Sequence, residues 1–224
     1  MKQQLLASVS HELHTPLAKL REALALLGDG TAGPLTPRQA RVVQLARDAC
    51  EREVRTVTAL LDASRLQMGQ ALRIQSGVSI DAVLQAAIDD ERPDADERGV
   101  TVTLSLEGEA PSLAVDLALV ERTVANLVRN AVSVSPAGSA VEVRRRTDGR
   151  SVRIEVIDRG PGLPALLQGD PFRAFQSAAV GERAAGLGLG LPLAREVARA
   201  HGGDLVVART GPEGTCFAFL LPLS

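Results

Sequence analysis

The sequence predicts an α+β protein in which an N-terminal helical hairpin forms a dimeric four-helix bundle and an α/β sandwich domain follows. Three observations predict it. Residues 1–69 carry apolar side chains at alternating threes and fours, the spacing of a bundle seam. From residue 70 to residue 224 the texture changes to short apolar strand runs that alternate with helical blocks. The chain is 224 residues long, which suits two modest domains at roughly 150 residues per domain or fewer.

The first helix is read from Leu6, Leu13, Leu17, Leu20, Leu24 and Leu27, and it stops at Gly28-Asp29-Gly30. After the loop GDGTAGPLTP, Thr36 is placed as an N-cap with Pro37 at the first helical position. The second seam runs Val43, Ala46, Cys50, Val54, Val57, Leu61, Ser64 and Met68. One hairpin of this kind buries little core alone, so a second copy is expected to complete the bundle as a homodimer. Beyond it, LRIQ reads as a strand, VSIDAVLQAAIDDE as a helix, VTVTLSL as a strand and Asp116 to Val134 as a helix. AVEVRRR and SVRIEVID read as strands joined at Asp148-Gly149, a hairpin turn. The chain closes with a helix around PLAREVARAH, a stop at Gly202-Gly203, and the strands DLVVAR and TCFAFLLP. Glycine and alanine dominate Gly160 to Gly190, a loop longer than ordinary connections and therefore expected to be functional.

Composition excludes several functions. With 45% hydrophobic and 23% charged residues the chain is globular, and no apolar run is long enough to span a bilayer. Aromatic residues are 2% of the chain and net charge is −2, so neither stacking platforms nor a basic surplus supports nucleic-acid binding. Cys50 and Cys216 lie far apart in apolar patterns, and His11, His14 and His201 form no metal-ligand spacing with them. A reduced, cytoplasmic setting is expected, and the lack of a signal peptide agrees with it.

Four strings carry chemistry. In SHELHTPL, residues 10–17, His11 lies roughly 150° from the seam, on the solvent face, and Thr15 shares that face. Pro16 cannot donate to the carbonyl of Glu12 and should bend the helix beside His11; an interior proline costs about 3 kcal/mol, which packing alone does not explain. In NLVRNA, Asn126 and Asn130 stand four apart, so two carboxamides can converge on one ligand or metal-bound phosphate. DRGPG places Asp158 at a strand end with Gly160 and Gly162 behind it, which suits recognition of an amino donor by a carboxylate beside closely approaching backbone. GLGLGL, Gly186 to Leu191, runs into a helix and offers N–H groups and a positive dipole end to phosphate. Its spacing does not match the dinucleotide fingerprint GxGxxG, and no βαβ unit opens with it.

In this order the strings resemble the cytoplasmic core of a sensor histidine kinase. SHELHTPL resembles the H-box, NLVRNA the N-box, DRGPG the G1 box, FRAF at Phe172 to Phe175 the F-box, GLGLGL the G2 box, and Gly214-Thr215 a G3 element. The resemblance covers essentially the whole chain and implies an ATP-binding domain of the histidine kinase, gyrase and Hsp90 type. By similarity His11 is the phosphorylated nucleophile, taking the γ-phosphoryl group of ATP and passing it to an aspartate of a response regulator receiver domain. Neutral imidazole is a good nucleophile near pH 7, and the N–P bond keeps the group transferable. Glu12 matches the acidic neighbour that orients His11 and accepts its proton, and Thr15 the residue that positions water for phosphatase chemistry. Asn130 matches the Mg2+ ligand and Asp158 the adenine-binding aspartate, with Asn126 and Thr215 also at the nucleotide. Gly160 and Gly162 shape the base pocket, Gly186, Gly188 and Gly190 flank the triphosphate, and the stretch from Leu163 to Ala185 forms a lid. A membrane anchor is expected only through an N-terminal sensor region of a longer parent.

This sequence departs from the family pattern at three places. His14 stands where such kinases have arginine, Ser133-Val134 replaces a basic-aromatic pair after the N-box, and FRAF lacks a proline. Two rival readings remain: an ATPase of the gyrase or Hsp90 class, and a catalytically silent dimeric scaffold. Hydrolytic relatives carry a glutamate four residues before the metal-binding asparagine; here Asn126 holds that position and cannot act as a base.

Overall fold

The computed structural model describes the backbone of residues 2–174 and 188–223, and their side chains from residue 15 onward apart from 166 and 168. The chain divides into two compact units, Met1–Arg65 and Leu66–Ser224.

In the first unit, α1 (Lys2–Gly28) runs through Pro16 as one helix, and α2 (Pro37–Gln67) follows after a short turn. The turn contains Gly30 and Gly33 at φ of 83° and 104°, a region costly for any residue with a Cβ. Thr36 begins α2 with a capping box: its Oγ1 accepts the Gln39 N–H at 3.4 Å, while Gln39 Oε1 accepts the Thr36 N–H at 2.9 Å. Pro37 in the first helical position completes the expected start. Cys50 and Leu61 are buried, Leu17 and Leu24 half-buried, and the Cys50 thiol donates to the Leu17 carbonyl at 3.9 Å. Leu20 and Leu27, read as part of the same seam, stay exposed. The hairpin has room for one stripe between its helices, and these two leucines sit outside it.

In the second unit the described strands form a mixed sheet of order β2-β4-β5-β7-β6 and a separate β1-β3 ladder. The elements are β1 (Gln75–Ser79), α3 (Ile80–Glu97), β2 (Thr101–Glu107), β3 (Ser112–Val115), α4 (Leu117–Val134), β4 (Ala140–Thr147), β5 (Ser151–Ile157), α5 (Ala165–Gln168), α6 (Gly190–Ala200), β6 (Asp204–Gly211) and β7 (Gly214–Pro222). β2 and β4 are parallel, and the other neighbours in the large sheet are antiparallel. The pleat sends Val141, Val143, Val152, Ile154, Val156, Phe217 and Phe219 into a core shared with α3, α4 and α6. The opposite face carries charge. Arg144 pairs with Glu142 at 2.7 Å, and Arg153 with Glu155 at 2.8 Å.

Three element readings are corrected. LRIQ is not a strand: pairing begins at Gln75, because the Arg73 N–H is taken by Asp116 Oδ2 at 2.9 Å. Val78 and Ser79 end that strand rather than open a helix; Ser79 caps α3, its Oγ accepting the Ala82 N–H at 3.4 Å. The helix then passes Pro93 to Glu97, since Ala95 still buries against the core. SLAV is a strand, β3, that the sequence pattern hid because it is only four residues long. The hairpin at Asp148-Gly149 forms as expected, with Gly149 at φ 82° and Asp148 Oδ1 accepting the Ser151 N–H at 2.7 Å.

Candidate functional site

Asp116 caps the N-terminus of α4. Asp116 Oδ1 accepts the Leu119 N–H at 3.2 Å, and the Asp116 N–H donates to His201 Nε2 at 3.0 Å. The His201 ring therefore carries its proton on Nδ1, which donates to the Val197 carbonyl at 2.8 Å. The last turn of α6 is tied in this way to the first turn of α4, and His201 is a structural histidine.

Farther along α4, Asn126 faces the start of α6. A Cβ added to Gly190 would lie 2.6 Å from Asn126 Oδ1 and 2.8 Å from its Nδ2. Only glycine lets the helix begin this close to the carboxamide. Asn126 Nδ2 is buried and has no hydrogen-bond partner among the described residues. A buried orphan donor is costly unless a ligand or ion satisfies the group. Asn130 is half-buried one turn on, as the spacing of four requires. Arg129, the basic residue within NLVRNA, pairs with the buried carboxylate of Glu91 on α3 at 3.3 Å. It is committed to the helix layer.

At the end of β5, Asp158 is 4% exposed, and its Oδ1 accepts N–H bonds from Gly160 at 2.8 Å and Thr215 at 3.0 Å. Burial pushes this carboxyl above the usual range, against the lowering by the two backbone donors. Both bonds fall on Oδ1, so Oδ2 is left to accept from a donor outside the described residues. The glycines behave as their positions suggested. A Cβ at Gly160 would strike Val134 at the end of α4, one at Gly162 (φ 84°) the Gly211 carbonyl, and one at Gly214 (φ 126°) the Asp158 carbonyl. Val134, at a place where the family pattern differs, thus forms the wall behind Gly160. Its neighbour Ser133 donates to the Asn130 carbonyl at 2.8 Å.

Next to these contacts lie hydroxyls that no sequence motif marks. Thr210 Oγ1 accepts the Leu163 N–H at 2.9 Å and lies 3.3 Å from Thr215 Oγ1. Ser135 Oγ accepts the Arg159 N–H at 3.3 Å. No local string marks either residue; only the register of β6 against β7 and the cap of α4 bring them here. Beside these groups a cleft of ≈ 550 Å³ is lined by Leu163, Asp170, Phe172, Arg195, Val207 and Thr210. Neither Asp158 nor Asn126 lines it.

The structure thus brings Asp158, Gly160, Gly162 and Thr215 together, and Asn126 against Gly190 at the start of α6. Gly188 precedes that helix at φ 67°. His11 and Glu12 fall within α1, but their side chains lie outside the described residues, so the outward direction expected of His11 does too; Thr15 is exposed. Gly186 and Phe175 also lie outside the described residues. Among the described residues no cluster of three or more His, Cys, Asp or Glu could hold a metal. Asn130, a hard-oxygen donor near an orphaned amide, fits a cation such as Mg2+ that takes few protein ligands and completes its shell with phosphate and water.

Comparison with known proteins bears on both units in turn. Residues 1–69 match the His Kinase A (phospho-acceptor) domain, and residues 115–224 match the family of histidine kinase-, DNA gyrase B- and HSP90-like ATPases. The chain belongs to the sensor histidine kinase family. This histidine kinase chain is 34% identical over 226 residues to the alginate biosynthesis sensor protein KinB of Pseudomonas aeruginosa, covering 100% of the chain and 37% of KinB. It is 32% identical to the sensor-like histidine kinase SenX3 of Mycobacterium bovis, covering 99% of the chain and 54% of SenX3. The kinase chain therefore spans about half or less of the curated relatives it matches. Full-length ShkA, solved in complex with AMPPNP, superposes with a TM-score of 0.74 at 28% identity, over 99% of this chain and 46% of ShkA. The Acinetobacter baumannii histidine kinase AdeS shares the fold, with a TM-score of 0.65 at 19% identity over 96% of this chain and 98% of AdeS. No helix among the described residues is long and apolar enough to cross a membrane.

Proposed function

We propose that this chain is the catalytic core of a two-component kinase that phosphorylates its own His11 from ATP and passes the group to an aspartate of a response regulator receiver domain. Residues 1–69 serve as the dimerising phosphoacceptor hairpin and residues 70–224 as the ATP-binding domain. The observation that carries the reading is Asn126 packed on Gly190 with its amide unpartnered among the described residues. That carboxamide stands where hydrolytic relatives place a base, so it can hold a phosphate oxygen but cannot activate water.

Asp158 Oδ2 accepts the amino group of adenine, while Gly160, Gly162 and Thr215 shape the pocket around the base. Gly186, Gly188 and Gly190 give backbone N–H groups at the start of α6 to the phosphates, and Asn126 adds its amide. Asn130 supplies a carboxamide oxygen to Mg2+, which when bound neutralises charge spread over the phosphate oxygens. In the transfer, an imidazole nitrogen of His11 forms a bond to the γ-phosphorus as the bond to the bridging oxygen breaks and ADP leaves. Glu12 orients the ring and takes its proton. Thr15 holds water for the reverse task, removing phosphate from the regulator. We place the segment on the cytoplasmic side of whatever sensor region a longer parent carries, and take its working state to be a homodimer.

The test is incubation of the chain with γ-labelled ATP and Mg2+. Acid-labile label on wild type that is absent from His11→Gln supports the kinase. Free phosphate without labelled protein points to the ATPase reading, and neither product to a silent scaffold.

A further inference from the structure

The F-box phenylalanine is held by a group that none of the site strings includes. Phe172 packs edge-on against Phe217 of β7, with ring centroids 6.5 Å apart and planes at 74°. Its other face is covered by the guanidinium of Arg195, whose central carbon lies 4.6 Å from the ring centroid. Arg195 is on the second turn of α6, and Asp204 at the start of β6 holds it through a two-point fork, Nε to Oδ1 at 2.9 Å and Nη2 to Oδ2 at 3.2 Å. The fork fixes the plane of the guanidinium, so the ring beneath it gains a preset cationic cover. The pairing also holds the Asp204 carboxyl below its usual range.

The clamp links β7, the strand that carries Thr215, to α6, the helix that begins at Gly190. Phe217 lies two residues beyond Thr215 on β7, hence on the same strand face as the residue that donates to Asp158. Arg195 lies five residues beyond Gly190, on the helix whose first residue touches Asn126. The stretch Gly169 to Phe172 lines one cleft with Leu163, Arg195 and Thr210. A rotation of α6 relative to β7 would have to break either the ring contact or the fork.

We propose that Arg195 is a positioning residue for ATP: stacked on Phe172 and fixed by Asp204, it sets the start of α6 against the base pocket on β5 and β7. The proposal rests on the nucleotide reading given above. Its effect falls on ground-state binding, so it changes the affinity for ATP and leaves the rate at saturation nearly intact.

The full chain is compared as wild type, Arg195→Ala, Arg195→Lys, Asp204→Asn, Phe172→Leu and the double variant Arg195→Ala/Phe172→Leu. Mg-ATP affinity is measured by titration calorimetry, KM and kcat by autophosphorylation, and folding by thermal unfolding. Arg195→Ala and Phe172→Leu are each expected to raise Kd and KM about three- to tenfold, the reach of a partly desolvated cation–π contact, with kcat within about twofold. The double variant should be no weaker than the weaker single, because one contact is lost in all three. Arg195→Lys, which keeps the charge and loses the fork, and Asp204→Asn, which keeps the guanidinium and frees it, should fall between. Wild-type affinity in Arg195→Ala, multiplicative losses in the double variant, or lowered stability with unchanged KM across the set each overturn the proposal. A wild-type chain that binds no ATP overturns the proposed function first, and this inference with it.

Discussion

Asp158 shows how a residue can be costly to the fold and still suit the proposed adenine site. Its buried carboxyl is raised by desolvation, so the unfolded chain releases that proton more readily, and ionisation weighs against the folded state as pH rises through the carboxyl range. Asparagine keeps a carbonyl oxygen for the Gly160 and Thr215 N–H groups without the charge. Asp158→Asn should therefore melt at or above wild type at pH 7, with the gap closing as pH falls to where both proteins are neutral at this position. In calorimetric titration the same variant should lose ATP affinity at least tenfold, since an amide nitrogen can take the place of the accepting Oδ2. Gly214 makes the opposite case. At φ 126°, with any Cβ driven into the Asp158 carbonyl, Gly214→Ala should lose about 3 kcal/mol or more, through left-handed strain together with displacement of the β7 backbone. A urea midpoint equal to wild type would show that the β6-β7 turn relaxes more freely than its packing implies.

At the level of elements, Arg145 does for the fold what Asp158 does for the pocket. It is 1% exposed on β4 and pairs with both oxygens of Asp81, at 2.9 Å and 3.0 Å, while donating to the carbonyls of Glu107 and Glu109 at 2.7 Å and 2.8 Å. One side chain thus joins the first turn of α3, the end of β2 and the loop before β3. Arg145→Met removes the charge and strands the carbonyls and the Asp81 carboxylate; a loss of about 3–5 kcal/mol is expected, read as a lower urea midpoint at unchanged slope. Nothing in AVEVRRR distinguishes this arginine from Arg144 and Arg146, which lie on the charged side of the sheet or at its edge, because alternation says which face a residue takes but not what waits there. The same limit runs through the rest. Long periodic segments such as α2 and α4, the cap at Thr36-Pro37 and the turn at Asp148-Gly149 were legible because their causes are local. The four-residue β3, the extension of α3 past Pro93, and the meeting of Thr210, Thr215 and Leu163 were not, since each depends on partners dozens of residues away. Gly160, Gly162, Gly190 and Gly214 were legible for a related reason: a Cβ at each would collide with a neighbour, and the motif order preserves those approaches even though it does not name what is approached.

For the whole molecule, the question is what covers the apolar residues the hairpin leaves in water. Leu17, Leu24, Cys50 and Leu61 fill the seam between α1 and α2, yet Leu20, Leu26, Leu27, Val42, Leu45 and Leu60 remain exposed, Leu45 at 62%. Six large aliphatic side chains on two helices exceed what scattered surface leucines require. Burying each in a partner is worth about 1.5–3 kcal/mol, the scale a homodimeric bundle needs to offset the ordering of its second copy. Leu20→Glu with Leu45→Glu should therefore halve the mass in sedimentation equilibrium and lower helical circular dichroism, because a lone hairpin keeps only its inner stripe. Mg-ATP affinity should stay at the wild-type value, since the pocket residues all lie in the unit Leu66–Ser224. An unchanged mass would mean that a different surface joins the two copies, and a loss of ATP affinity would mean that the pocket depends on the bundle.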